Sequence, residues 1–296
     1  GDDTLSGGAG TDYIDGGNAA TDDDLSDDDY VDYDYIDNSK GVIVNLQAGT
    51  AIDKSGGNQV GSDTIVNIEH INGSKNADVI TSDDSDNSLN GLDGDDTFYR
   101  STGNDNIDGG THTNGDTVDY SVYAGDENDA TTTAKIDITT SVTGSDITYT
   151  INKSDGGTDT LVNIETLKGS DSNDTFNSSS LSDSFYGNDG DDTFVTTAAN
   201  DGIDYYNGGN DTDLVDYSVI GDSNAPLTTE GISVSLNGNI TATVTVDSGD
   251  NDIFAGIENI SGTQNDDSLK GDGEDNSFYG NAGNDTLRGE AGDDYQ

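Results

Sequence analysis

A nine-residue period, with an acidic or amide side chain two positions ahead of an apolar one, limits what this chain can fold into. From Gly73 the turns read GSKNADVIT, SDDSDNSLN, GLDGDDTFY and RSTGNDNID. Position 6 holds Asp78, Asn87, Asp96 and Asp105, and position 8 holds Ile80, Leu89, Phe98 and Ile107. A lengthened turn adds Asp116 with Val118. The frame returns from Gly169 with Asp174, Asp183, Asp192 and Asp201, partnered by Phe176, Phe185, Phe194 and Ile203. Another lengthened turn gives Asp213 with Val215. A block from Gly262 supplies Asp267, Asn276, Asp285 and Asp294, and the N-terminal stretch supplies Asp3 with Leu5 and Asp12 with Ile14. A short fixed period of this kind means stacked turns, each too small to bury its apolar residue alone, with a continuous core between neighbours.

Nine residues before the first position-6 side chain of each block stand Glu69, Glu165 and Glu258, within VNIEHI, VNIETL and AGIENI. Each is followed two positions on by Ile71, Leu167 or Ile260, so each block opens with Glu in the position-6 role. A longer period lies above the short one. Asp119-Tyr120-Ser121 recurs as Asp216-Tyr217-Ser218, with Asp32-Tyr33-Asp34 as a weaker copy. Each string precedes an alternating Val/Ile/Thr stretch: GVIVNLQAGTA, AKIDITTSVTGSDITYTI and GISVSLNGNITATVTVD. These read as β-hairpins with one apolar face. The expected division is the end of a preceding roll at 1–29, then three units of hairpin plus roll at 30–118, 119–215 and 216–296.

Composition alone would place the chain among disordered proteins, with 29% hydrophobic residues and 61 acidic against 9 basic side chains, a formal charge of −52. Self-repulsion of that size opposes a compact state. Yet the chain has 40 Gly with a single Pro, and its apolar residues are β-formers at fixed intervals. The missing ingredient is a counter-ion. The sign of the charge excludes nucleic acid as a partner and disfavours anionic membrane surfaces. No apolar run approaches the roughly 18 residues of a membrane span, so insertion is not expected. With no Cys, metal ions are the remaining staple.

Gly7-Gly8-Ala9-Gly10-Thr11-Asp12-Tyr13-Ile14 and Gly280-Asn281-Ala282-Gly283-Asn284-Asp285-Thr286-Leu287 resemble the nonapeptide G-G-x-G-x-D-x-U-x of the RTX family, the haemolysin-type calcium-binding repeat. Gly at these positions permits positive φ and turns carbonyls toward a cation, and a short Asp carboxylate is a hard ligand that Ca²⁺ favours. The resemblance implies that two nonapeptides make one coil and that an ion lies between position 6 of one turn and that of the next but one. It therefore implies pairing of Asp78 with Asp96, Asp174 with Asp192 and Asp267 with Asp285. The expected fold is all-β: tandem calcium-bound parallel β-rolls, a β-solenoid, with interspersed β-hairpin or sandwich segments. Several Ca²⁺ ions are the expected cofactors, the metal-free chain unfolded and the calcium form folded. The resemblance further implies a bacterial protein exported by type I secretion to the cell surface or extracellular space.

Other readings of the same residues are blander. Ordinary Asx-turn chemistry could explain single Asp residues, but not an apolar partner recurring two positions on. Asn87 and Asn276 can ligate through a neutral oxygen or only hydrogen-bond, and the three Glu can be ligands or surface residues. The runs Asp22–Asp24 and Asp27–Asp29 read as a solvated acidic loop. The 14 Tyr read as packing residues rather than a glycan surface. His70 and His112 show no matched nucleophile and no metal-ligand spacing. A repetitive solenoid offers no unique pocket for a carboxylate dyad, so no enzyme is expected. The function expected is a structural surface protein (S-layer, filament or adhesin stalk). Its partners would be other copies or further repeats end to end, since GDDTLSGG and GEAGDDYQ both lie within the repeat frame. The alternatives are an accessory β-roll of a secreted protease, lipase or epimerase, and a calcium-dependent adhesin domain that binds a ligand such as a cell-surface polysaccharide.

Overall fold

The computed structural model describes residues 1–17, 28–36, 40–54, 60–99, 101–121, 135–154, 156–197, 202–220, 231–237, 242–245 and 251–296. Every regular element among them is a strand. The chain divides into two compact units: Gly1–Tyr123 with Thr148–Thr166, and Ala124–Ile147 with Leu167–Gln296.

In the first unit successive strands enter two sheets alternately. His70–Asn72, Ser88–Asn90 and Asn106–Asp108 pair in parallel in one sheet, and Val79–Thr81, Thr97–Tyr99 and Thr117–Asp119 in the other. Phe98 lies opposite Ile80, and Ile107 opposite Leu89. The equivalent ladder contacts are separated by 18 residues, two nonapeptides per coil. Three-residue strands suffice because only the middle side chain, position 8, faces inward, and the flanking positions stay half-exposed. The second unit repeats the plan, with Thr175–Asn177, Thr193–Val195, Leu214–Asp216, Asn259–Ser261 and Ser277–Tyr279 parallel in one sheet. This is a parallel β-roll.

The two cores differ in kind. Val31, Ile71, Ile80, Leu89, Ile107, Val118 and Leu161 dominate the first, with Phe98 the buried Phe. The second is an aromatic column. Phe176 stacks on Phe194 at 4.9 Å, Phe194 on Tyr206 at 5.2 Å and Tyr206 on Phe254 at 5.8 Å. Tyr206 corrects the sequence reading. The inward residue of that coil was expected to be Ile203, which is 52% exposed, while Tyr206 is fully buried and lies opposite Phe185. Tyr206 follows Phe194, the inward residue of the preceding turn, by twelve positions rather than nine, so the frame slips by three.

The alternating stretches form hairpins as expected, and they are built into the roll sheets. In the first, Val42–Asn45, Thr50–Asp53 and Ser62–Val66 run antiparallel as a meander. Its outer strands continue the roll in parallel: Ser62–Val66 joins Tyr13–Asp15, and Val42–Asn45 joins Val79–Thr81. The third repeats this with Ser233–Ser235, Ala242–Thr245 and Ile253–Ala255. For the second, Asp146–Lys153 lies antiparallel to Thr158–Val162, which joins Asn106–Asp108 in the first unit, and Ile136–Thr143 joins Thr175–Asn177 in the second. Val42, Val44 and Ala51 alternate inward, so the first meander has the apolar face its pattern demands. The Tyr of each Asp-Tyr string, Tyr33, Tyr120 and Tyr217, is buried, in line with packing.

Candidate metal centre

The position-6 side chains form ladders along the roll. Along a ladder a carboxylate accepts a hydrogen bond from the backbone N–H of the rung before it, and Asp78, Asp174 and Asp267 accept theirs from the Val42, Ile136 and Ile232 N–H groups of the inserts. Asp78 N–H donates to Asp96 Oδ1 at 2.7 Å, Asp96 N–H to Asp116 Oδ1 at 2.7 Å and Asp116 N–H to Glu165 Oε2 at 2.7 Å. In the second unit Asp174 N–H donates to Asp192, Asp192 N–H to Asp213 and Asp213 N–H to Glu258 Oε2. Asp267 N–H reaches Asp285 and Asn276 N–H reaches Asp294. On the other sheet of the first unit the rungs are Asp3, Asp29, Glu69, Asn87, Asp105 and Asp159. The pairs Asp78/Asp96, Asp174/Asp192 and Asp267/Asp285 are thus brought together, and Asp12 and Asp183 are rungs as well.

Glu at the opening of each block has a steric reason. From Ile65 to Ile71, Leu161 to Leu167 and Phe254 to Ile260 the inward residues are six apart, not nine. The shortened turn withholds backbone, and the extra methylene of Glu carries its carboxylate to the same N–H.

Five rungs were not foreseen. Asp29, assigned to a solvated loop, is buried and stands between Asp3 and Glu69. Asp22–Asp24 and Asp27 lie outside the described residues. Asp63, Asp159 and Asp252 are rungs supplied by the last strand of each insert, reached by Asp12, Asp105 and Asp204. Asp201 lies outside the described residues, and the rung expected of it is Asp204. All five obey the triplet Asp-x-apolar, which would have found them without a strict spacing of nine.

The rungs fall into two classes, set by position 2 of the turn. Where position 2 is Ser or Thr, it caps the Asp. Ser74 N–H and Oγ–H donate to Asp78 at 2.6 and 2.7 Å, and Ser170 and Thr263 do the same for Asp174 and Asp267. Ser101 Oγ–H donates to Asp105, and Ser179 N–H to Asp183. Where position 2 is left-handed, at Gly8, Leu92, Gly110, Asn188 and Gly209, no cap forms. There the outer oxygens Asp12, Asp96, Asp116, Asp192 and Asp213 Oδ2 are buried without a hydrogen-bond partner among the described residues. Asn87 and Asn276 satisfy themselves by donating Nδ2–H to the Glu69 and Glu258 carbonyls.

Position 1 explains the first glycine. Its φ is not left-handed at Gly91, Gly169 or Gly187. Instead a methyl on Gly169 would lie 2.5 Å from Asp174 Oδ2 and 2.7 Å from the Gly187 carbonyl oxygen. At Gly187 the same two kinds of oxygen, Asp192 Oδ2 and Gly208 O, crowd the spot. Glycine is needed here because hard oxygens converge, which is a donor set of the kind Ca²⁺ takes. At Gly94 and Gly190, φ of +144° and +112° is the reason instead.

Burial raises the open rungs Asp96 and Asp192 to about 8 and Asp213 to about 7, whereas the capped Asp78 and Asp174 reach about 6, as does the open Asp116, which has His112 beside it. An unpaired buried carboxylate is costly, and a cation placed against it removes the cost. The residues of the open rungs therefore fit Ca²⁺: Asp12, Asp96, Asp116, Asp192 and Asp213, with the neighbouring glycine carbonyls, would hold it.

One buried rung already has a cation. Lys153 Nζ, whose side chain is 0% exposed, donates to the Ser101 and Gly103 carbonyls at 3.0 and 2.6 Å and to Asp159 Oδ1 at 2.7 Å.

Comparison with known proteins identifies the repeat. Residues 1–20, 72–107, 168–203 and 261–295 match the RTX calcium-binding nonapeptide repeat. No curated protein sequence matches the chain. Among solved structures, the extracellular lipase LipA from Serratia marcescens is similar at 17% identity and a TM-score of 0.25, over 64% of this chain and 38% of the lipase. The chain spans well under half of the lipase's length. The nine-residue period in those four segments is the RTX calcium-binding nonapeptide repeat, present in four copies.

Proposed function

We propose that the chain is a non-catalytic structural segment of a bacterial cell-surface or extracellular assembly (an S-layer, filament or adhesin stalk) that folds on Ca²⁺ and packs against other copies or further repeats. The observation that carries this reading is the set of buried, unpartnered Asp oxygens in a chain of charge −52. Such a chain gains compactness only as cations neutralise it, so calcium sets both folding and rigidity. Extracellular calcium near the millimolar range suits weak oxygen sites, whereas a calcium-poor cytosol keeps the chain unfolded and exportable. The residues of the roll are spent on packing and on the ladder, which supports a scaffold role over catalysis.

The test is circular dichroism with light scattering during a Ca²⁺ titration from a chelated start, with Mg²⁺ as control. A coil-to-β transition specific to Ca²⁺, with scattering rising beside it, is the expected result. A chain that gains no β-structure at about 10 mM Ca²⁺ would sink the proposal. A folded chain that stays monomeric would favour an accessory module over an assembly.

A further inference from the structure

His112 was read as having no metal-ligand spacing, and the fold gives it one. It lies in the lengthened turn Gly109-Gly110-Thr111-His112-Thr113-Asn114-Gly115-Asp116. The turn is held from both sides. Thr111 N–H donates to the Leu92 carbonyl at 2.7 Å and the Thr111 carbonyl accepts from Gly94 N–H at 2.8 Å. Beyond His112, the backbone N–H groups of Thr113 and Asn114 donate to Asp95 Oδ1 at 2.8 and 2.7 Å. The ring is therefore positioned over the ladder, with Nδ1 3.2 Å from Glu165 Oε2 and 3.6 Å from Asp116 Oδ2.

Asp116 is an open rung. It is fully buried, and its Oδ2 has no hydrogen-bond partner. The donor atoms of His112, Asp116 and Glu165 all lie within 4.8 Å of one another. A tetrahedral Zn²⁺ with N and O ligands at its usual bond lengths sets donor atoms about 3.4 Å apart, close to the spacing seen. The other rungs offer oxygen only, which suits Ca²⁺. An imidazole nitrogen shifts preference toward first-row transition metals. His112 and Glu165 are about one-third exposed, so an ion can enter and a water can complete the shell.

We propose that His112, Asp116 and Glu165 form a site for a transition-metal dication, Zn²⁺ by its chemistry, set into one rung of the calcium ladder. The site deepens the ladder reading and rests on it.

The experiment is a Co²⁺ titration of the full chain in saturating Ca²⁺, followed by visible absorption and by circular dichroism, with Zn²⁺ as competitor. One Co²⁺ per chain with tetrahedral d–d bands, displaced by Zn²⁺, is expected. His112→Gln should weaken Co²⁺ binding by about tenfold or more and leave the Ca²⁺-induced β-signal unchanged. Glu165→Gln serves as a second variant, with weakened Co²⁺ binding expected. If wild type folds on Ca²⁺ but shows no d–d bands, or if His112→Gln binds Co²⁺ as wild type does, the zinc site is wrong and the calcium ladder stands. If Ca²⁺ induces no fold, both fall together.

Discussion

The first and second inserts put opposite charges at one place in the fold. Lys153 lies one residue beyond Asn152, which pairs with Thr158, and Asp53 lies one beyond Ile52, which pairs with Ser62. Each therefore sits beside the rung that its insert supplies, Asp159 or Asp63. At Asp159 the rung is complete, because Oδ1 receives the Lys153 ammonium and Oδ2 the Tyr120 hydroxyl at 2.7 Å. At Asp63 nothing equivalent happens among the described residues. Asp63 Oδ2, Asp53 Oδ1 and the Tyr33 hydroxyl are all buried without hydrogen-bond partners. The difference teaches that a buried carboxylate rung needs a positive charge, and that this can be tethered to the chain or taken from solution. The second insert carries its own cation, and the first depends on the medium.

Acid gives the broadest way to break that comparison, since it acts on many rungs at once. The folded pKa of Asp96, Asp192 and Asp213 is raised, so the folded chain keeps protons that the unfolded chain has released. Metal-free stability is then greatest below the ordinary Asp value of 3.8 and is lost as pH rises toward about 8. In chelator, β-content by circular dichroism should rise as pH falls from 8 to 5, with the Ca²⁺ midpoint moving higher over the same range as protons compete. A metal-free chain equally unstructured at both pH values would show that the open rungs are not buried carboxylates.

Lys153→Met is the sharper probe. Its side chain and that of Asp159 are 0% and 1% exposed, so removing the ammonium strands a buried carboxylate and should cost about 3–5 kcal/mol. The measurement is chemical denaturation in saturating Ca²⁺. A loss below about 1 kcal/mol would mean the pair is as weak as one on the surface. Smallest should be Ser170→Ala, which removes one cap from Asp174 and should cost about 1 kcal/mol. Calcium stoichiometry by calorimetry should stay the same, because the backbone N–H at position 170 still caps Asp174 Oδ2. A fall in stoichiometry would show that Ser170 helps bind metal instead.

Much of this was legible in the residues. The period of nine, with Asp at position 6 and an apolar residue at position 8, set the roll, the inward column and most rungs, because short strands with one inward side chain leave little freedom of register. The hairpins were legible from alternation. Three things were not. The slip from Ile203 to Tyr206 followed from a loop of irregular length, where counting by nine loses its footing. The rungs Asp63, Asp159 and Asp252 come from inserts whose outer strands continue the roll, and only strand pairing reveals that. His112 and Lys153 meet Glu165 and Asp159 across 53 and 6 residues, the first by coil stacking and the second by the turn between two antiparallel strands. The sequence by itself determined that carboxylates would stack beside a thin core and require cations. Which rung meets which, and which carries a charge of its own, was decided by the tertiary structure, because those answers depend on which atoms of neighbouring coils face one another.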